Sequence, residues 1–321
     1  MADLTIFYVA DIHGSDVCFR KWLNAAAFYS ADVLIIGGDL TGKVLLPIYP
    51  AVGMAGSWRA TWRDREHRLE TRREVDELIR AARDEGTYGF VTTIDEVSEI
   101  RASIEVERAV FARLKVAALE QWMALADDRL AGRLVQAFIM PGNDDPPEVD
   151  AVLATSRTLR NVQGATSELA PGIWMASRGE STPTPWNTPR ELPDQVLGDR
   201  ARDVIDTLPA GGTTIWNLHM PPYDTGIDRA PGLDADLNVR YEGSGEPLML
   251  PVGSHAIRDL IVERQPTIAL HGHIHEGRGR YRIGGTTGFN PGSRYQDGVL
   301  SGVLLRVSAR GGLRHHVFTA G

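Results

Sequence analysis

Short apolar runs, each closed by a polar or histidine-bearing turn, recur along this chain. Residues 4–10 form one such run and end at Asp11, and residues 32–36 lead into Gly37-Gly38-Asp39. Residues 134–140 lead into Pro141-Gly142-Asn143, 213–218 into His219, and 267–270 into His271-Gly272-His273. Continuous apolar runs of this length predict strands buried on both faces. Helical spacing falls between them, as in 15–30, where Val17, Trp22, Leu23, Ala26 and Ala27 share a face, and again in 147–154, 194–208 and 254–264. Strands alternating with helices predict an α/β core, whose ligands gather where the strands end. Near the end of the chain, 299–307 and 313–319 alternate around Ala309-Arg310-Gly311-Gly312 and predict a hairpin. His315 and His316 are adjacent on its second strand, so they face opposite sides and neither is expected to be a ligand.

Residues 44–135 interrupt the rhythm. From 58 to 83 the chain is dense in Arg and Glu, with Val75, Leu78, Ile79 and Ala82 on one face. Gly86-Thr87-Tyr88-Gly89-Phe90 then breaks the pattern, and Val106, Val110, Leu114, Ala118, Trp122 and Leu125 return at helical spacing. The expectation is a helical-hairpin insertion that caps the site or builds a homo-oligomer interface. Asp64, Glu66, Glu70 and Glu74 interleave with the arginines of 59–73, which favours an ion-paired solvated face over a phosphate-binding one.

Composition narrows the class. With 321 residues and 43% apolar content, the chain is read as one domain, 1–321, carrying the 44–135 insertion. A formal net charge of −8 argues against a nucleic-acid or acidic-membrane partner. The one cysteine, Cys18, excludes an internal disulfide framework or a thiolate metal cluster, and it reads as a small core residue. No basic leader precedes the first strand and no run of about 18 apolar residues occurs, so a cytoplasmic location is expected. Lysine occurs only at 21, 43 and 115, which reads as compositional bias.

Five fragments at strand ends carry metal-binding side chains: Asp11-Ile12-His13, Gly38-Asp39, Gly142-Asn143-Asp144-Asp145, His219 and Gly272-His273-Ile274-His275. Residues two apart on an extended strand point the same way, so Asp11 with His13, and His273 with His275, are expected to act in pairs. Carboxylate, imidazole and amide donors suit Mn, Fe, Zn or Ni, with Mn the expected ion, rather than calcium or a thiolate zinc site.

These fragments, in this order, resemble the motifs of the calcineurin-like metallophosphoesterases, D-x-H, G-D-x-x-[DG], G-N-H-[ED], H and G-H-x-H. Asn290-Pro291-Gly292-Ser293 is similar to the turn that follows the last motif there, and 181–189 is similar to a segment of the Icc-related branch. The resemblance implies a four-layer α/β/β/α sandwich of two mixed sheets. It further implies one divalent ion on Asp11, His13, Asp39 and His275, and a second on Asn143, His219 and His273, with Asp39 bridging. Such ions, about 3.5–4 Å apart, clamp a phosphoryl group and acidify a bridging water, whose hydroxide attacks phosphorus. Asn143 is expected to offset charge on the phosphoryl oxygens. Asp145 and His271 are expected to support the ligands without binding metal. The 181–189 stretch is either a rigid surface loop or a wall of the site.

One departure matters. Where the family has His after the motif-three Asn, this chain has Asp144, an acceptor unable to assist a leaving group by proton donation. The expected substrates are therefore small phosphodiesters, or esters with good leaving groups, rather than ordinary phosphomonoesters. The alternatives are a metal-binding scaffold with little activity and a nuclease.

Overall fold

A computed structural model of the chain describes residues 3–51 and 56–321. Its strands are β1 (Leu4–Val9), β2 (Val33–Gly37), β3 (Val44–Pro50), β4 (Trp58–Trp62), β5 (Arg65–Leu69), β6 (Thr87–Val91), β7 (Gln136–Met140), β8 (Leu159–Asn161) and β9 (Ala165–Ala170). They continue with β10 (Ile173–Arg178), β11 (Thr213–Leu218), β12 (Arg229–Pro231), β13 (Met249–Pro251), β14 (Ile268–Leu270), β15 (Gly279–Ile283), β16 (Thr286–Asn290), β17 (Ser301–Ser308) and β18 (Gly312–Ala320). The helices are α1 (Asp16–Phe28), α2 (Arg72–Asp84), α3 (Ile94–Ala102), α4 (Ile104–Leu130), α5 (Val149–Leu153), α6 (Asp194–Ile205) and α7 (His255–Arg264).

Two mixed six-stranded sheets dominate, ordered β18-β17-β1-β2-β7-β8 and β15-β16-β14-β11-β10-β9. Strand alternation explains how they layer. Ile6 and Tyr8 of β1, with Val33 and Ile35 of β2, face Met175, Ile215, Ile268 and Phe289 of the other sheet. The alternate residues, Phe7, Val9, Leu34 and Ile36, instead pack on Phe19 and Trp22 of α1 and on Leu119 and Trp122 of α4. On the far side, Ala176, Trp216 and Ala269 pack on Leu197 and Ala201 of α6 and Leu260 and Ile261 of α7. The result is the α/β/β/α sandwich, with the C-terminal hairpin β17–β18 at one edge of the first sheet.

The insertion departs from the expected helical hairpin. Helices are present at α2, α3 and α4, but β3 to β6 form a separate four-stranded sheet ordered β5-β4-β3-β6. The helix expected from 58 begins only at Arg72, where Thr71 and Glu74 form a capping box. Before it, Trp58 to Leu69 make a hairpin turning at Arg63-Asp64, both in the left-handed region at φ 53° and 56°. Period-two positions Trp58, Ala60 and Trp62 supply one apolar face of that hairpin, packed with Leu46, Ile48, Val75 and Leu78. The interleaved charges that suggested a helix pair across strands instead, as Arg59 Nε does with Glu66 Oε1 at 2.6 Å. Elsewhere the arginines of this stretch pair with Glu85, Asp76 and Glu77. Among the described residues no helix is long and apolar enough to cross a membrane.

Candidate metal centre

The first two motifs extend beyond their strands as paired backbone. Asp11 N donates to Gly38 O (3.0 Å), His13 N to Asp39 O (3.0 Å) and Gly14 N to Leu40 O (2.7 Å). From the other sheet, Gly272 N donates to His219 O at 3.0 Å. His273 N donates to both Asp11 carboxylate oxygens (2.9 and 3.1 Å), joining the two sheets at their carboxyl ends. Asp11, His13, Asp39 and His273 all have positive φ, 56°, 38°, 54° and 67°. Four non-glycine residues in this sparsely populated region, all at one spot, mark a strained site. Gly142 is required here because a Cβ would overlap the Asp39 carboxylate.

Among the described residues the side chains form two separate groups of three, Asp11, His13 and His275, and Asp39, His219 and His273, and a third that overlaps both, His13, Asp39 and Asp144, each with ligand atoms within 4.8 Å of one another. Asp39 Oδ2 lies 3.6 Å from His13 Nε2 and 3.5 Å from His219 Nε2, between the groups. Asn143 Oδ1 completes the second group, 2.8 Å from His273 Nδ1 and 3.1 Å from His219 Nε2. All seven sequence-predicted positions are thus brought together. The same-side argument for His273 and His275 is corrected, because they fall in different groups. The loop leaves extended geometry at His273, so strand alternation no longer applies. Asp11 and His13 do share a group, and there too the positive φ values place them.

The donor set fits divalent metal ions. Asp11 and Asp39 are fully buried carboxylates, and desolvation raises both pKa values, Asp11 to about 7. Burial also pushes His273 down to about 3 and His275 to about 4, leaving neutral imidazoles of the kind metals bind. His219 is the exception. Burial lowers its pKa, but the Asp39 and Asp11 carboxylates outweigh that and raise it to about 9. Its Nδ1 is committed to Gly37 O at 2.8 Å, so Nε2 faces the site. Buried carboxylates among neutral imidazoles are costly unless a cation joins them.

A pH dependence follows. In the metal-free protein His219 holds a proton below about pH 9 and Asp11 holds one below about 7. Metal must displace both, so Mn²⁺ affinity should rise from pH 6 to pH 9 with release of protons. Calorimetric titration in buffers of different ionisation enthalpy measures this directly; equal affinity without proton release would contradict it.

The supporting residues are equally specific. Both Asp145 oxygens are occupied by donors: Leu40 N (2.9 Å) and Gly142 N (2.8 Å) on one, Thr41 N (2.8 Å) and Thr41 Oγ1 (2.6 Å) on the other. His271 is fully used as well, its Nδ1 meeting Leu218 O (2.8 Å) and its Nε2 the Tyr281 hydroxyl (3.0 Å). It has no ring nitrogen left for a metal. Asn290 Nδ2 donates to Ile274 O (2.9 Å) and Ser293 Oγ to Asp11 O (2.6 Å), so the Asn290-Pro291-Gly292-Ser293 turn clamps the first motif to the last.

Sequence reasoning missed Lys43, Lys115, Tyr295 and Thr188. Lys43 Nζ forms an ion pair with Asp144 Oδ2, which itself lies 3.8 Å from His13 Nδ1. Lys115 Nζ donates to Asp144 O at 3.1 Å. The Tyr295 ring packs beside His13 and His275, with centroids 4.8 and 5.9 Å away. The rarity of lysine was the available signal for the first two.

Thr188 belongs to the proline-rich loop and decides between its two readings. Asn143 Nδ2 donates to Thr188 Oγ1 (2.9 Å), which donates to Glu191 Oε1 (2.7 Å). This relay holds the amide oxygen toward the imidazoles, so the loop is part of the site. Thr188→Val should cost about 10–100-fold in metal affinity or activity, the usual scale for such supporting partners. Metal titration of the variant tests this, and wild-type affinity and rate together would count against it.

No family model matches the chain. It is 29% identical over 159 residues to the uncharacterized protein MJ1162 of Methanocaldococcus jannaschii, a stretch covering 49% of this chain and 64% of that one. A solved structure at 14% identity superposes with a TM-score of 0.56, covering 99% of this chain and 98% of the other. TT1561 of Thermus thermophilus superposes at 0.52 with 15% identity, covering 100% and 99%. These likenesses show a shared fold, the α/β/β/α sandwich of two mixed sheets.

Proposed function

We propose that the protein is a metal-dependent hydrolase of phosphoester bonds, with two divalent ions held by Asp11, His13, Asp39, Asn143, His219, His273 and His275. The convergence of these seven side chains, with Asp39 lying between the two groups, carries the reading. Bound there, the ions would supply charge that polarises a phosphoryl group and acidity that makes water nucleophilic at neutral pH. The protein's own part is to hold the ligands rigid, through the strained turns and the Asp145, Thr188 and Asn290 contacts. Asn143 Nδ2 faces away from the imidazoles and retains a second N–H for a substrate oxygen.

The site favours diesters, or monoesters with good leaving groups, over alkyl monoesters. Asp144 offers no proton there, because the Lys43 ion pair outweighs the effect of burial and holds its pKa below the usual carboxylate value. The same pairing cancels the carboxylate's charge, so repulsion of dianionic substrates adds little; the missing proton donor carries the preference. General-acid assistance is worth about 10²–10⁴ in rate. Asp144→His should therefore raise turnover of alkyl phosphomonoesters relative to diesters by about tenfold or more. An unchanged ratio would remove Asp144 from the explanation.

The direct test is hydrolysis of bis(p-nitrophenyl) phosphate and p-nitrophenyl phosphate by protein stripped of metal and resupplied with Mn²⁺. Turnover that needs the metal supports the enzyme. Two bound ions without turnover of either ester, under Mn, Fe, Zn or Ni, would favour a metal-binding scaffold.

A further inference from the structure

Three lysines stand among 34 basic residues, and two of the three meet at one residue beside the metal centre. They arrive from separate places, Lys43 just before the 44–135 insertion and Lys115 within it. Lys43 immediately precedes β3, while Lys115 projects from α4. Around them the insertion is bolted to the motif loops. Gly42 N donates to the Tyr88 hydroxyl of β6 at 2.9 Å, and Ser15 Oγ donates to Asp84 O at 2.6 Å. Trp122 Nε1 of α4 donates to Asp16 Oδ1 at 2.7 Å.

The lysine heads are therefore placed rather than loose. Asp144 is nearly closed to solvent, but the Lys43 side chain remains 42% exposed, so it lines an open mouth. Asp144 N donates to Asp39 Oδ1 at 3.0 Å, which sets the pair directly beside the carboxylate that lies between the two ligand groups. Lys115 meets the backbone carbonyl of Asp144, which leaves Lys43 as the ammonium on its carboxylate. An ammonium presents three donors, and the Asp144 carboxylate does not exhaust those of Lys43. The complement is an anionic oxygen arriving from solvent. A compact ammonium, unlike a forked guanidinium, meets a single such oxygen without displacing its neighbours.

We propose that Lys43, steered by Asp144, is a substrate-binding residue that donates a hydrogen bond to an oxygen of the substrate's phosphoryl group. The residue at the entry to the insertion then supplies part of the active site. This rests on the phosphoester reading, and the test is arranged to separate the two.

Inorganic phosphate is titrated calorimetrically into Mn²⁺-loaded wild type, Lys43→Met, Lys43→Gln and Lys43→Arg, with metal content measured on each sample. Loss of a charge-assisted hydrogen bond should weaken phosphate binding about tenfold or more in the Met and Gln variants. Metal content should stay at the wild-type level, and Lys43→Arg should recover part of the affinity. In steady-state hydrolysis the same loss should appear in KM, with kcat changed less. Unaltered phosphate affinity with full metal content overturns the proposal. So does a variant whose metal content falls in step with its phosphate binding, since Lys43 would then only brace the ligands. If wild type binds phosphate through Lys43 yet hydrolyses no ester, the hydrolase reading fails and this one stands.

Discussion

Asp39→Ala should lower phosphoester turnover by at least about 10³-fold and cost the protein both ions, not one. Several kcal/mol of transition-state stabilisation are attributed to metal charge, which sets that scale. Asp39 Oδ2 lies within 3.6 Å of imidazoles from both ligand groups, nearer than Asp11 Oδ1 at 3.7 Å from His275 and 3.8 Å from His219, so its removal should reach both. Substitution of His275, which belongs to one group, should leave the other ion in place. Metal analysis on the two variants makes the comparison, and two retained ions in Asp39→Ala would end the bridging assignment. The fold should survive. In the metal-free state Asp39 is a carboxylate whose pKa is raised, foremost by desolvation, so its removal relieves that penalty while orphaning the Asp144 N–H it accepts at 3.0 Å, and the melting temperature should fall only modestly.

Asp145→Ala should show the opposite pattern, a large loss of stability with loss of activity as its consequence. The carboxylate is fully buried and accepts from Leu40 N, Thr41 N, Thr41 Oγ1 and Gly142 N. Alanine would orphan three backbone donors in a dry interior, at about 1–3 kcal/mol each. A total of about 3–9 kcal/mol is a large share of the stability of an ordinary domain. Chemical denaturation measures it. A cost below about 1 kcal/mol would show that water reaches the vacated space and satisfies the donors. Because the same bonds tie the Asp39 loop to the Asn143 loop, metal affinity should fall alongside stability.

The sandwich was legible in the sequence because its signals are local. A strand buried on both faces must be largely apolar, and 4–10, 32–36, 134–140, 213–218 and 267–270 are. The candidate donors were legible as well, since chemistry restricts metal donors to a few residue types and each sits where an apolar run stops. The β4–β5 hairpin was not legible. Its Arg and Glu residues satisfy a helical pairing pattern as well as a cross-strand one, and only packing against β3 and α2 decides. Lysine at 43 and 115 was visible and read as bias, because nothing along the chain says that two residues so far apart meet at Asp144.

By itself, then, the sequence determined the α/β class, the five strand-end motifs and the donor chemistry. Those follow from composition and spacing within a few residues. The tertiary structure decided which imidazoles stand together, as the resemblance implied and strand alternation did not, since strained turns override alternation at Asp11, His13 and His273. It alone set Thr188 against Asn143 and brought Lys43, at the entry to the insertion, and Lys115, within it, to Asp144. Those contacts join residues 29 or more positions apart, and only the folding of one sheet against the other and of the insertion against the first brings them within bonding distance.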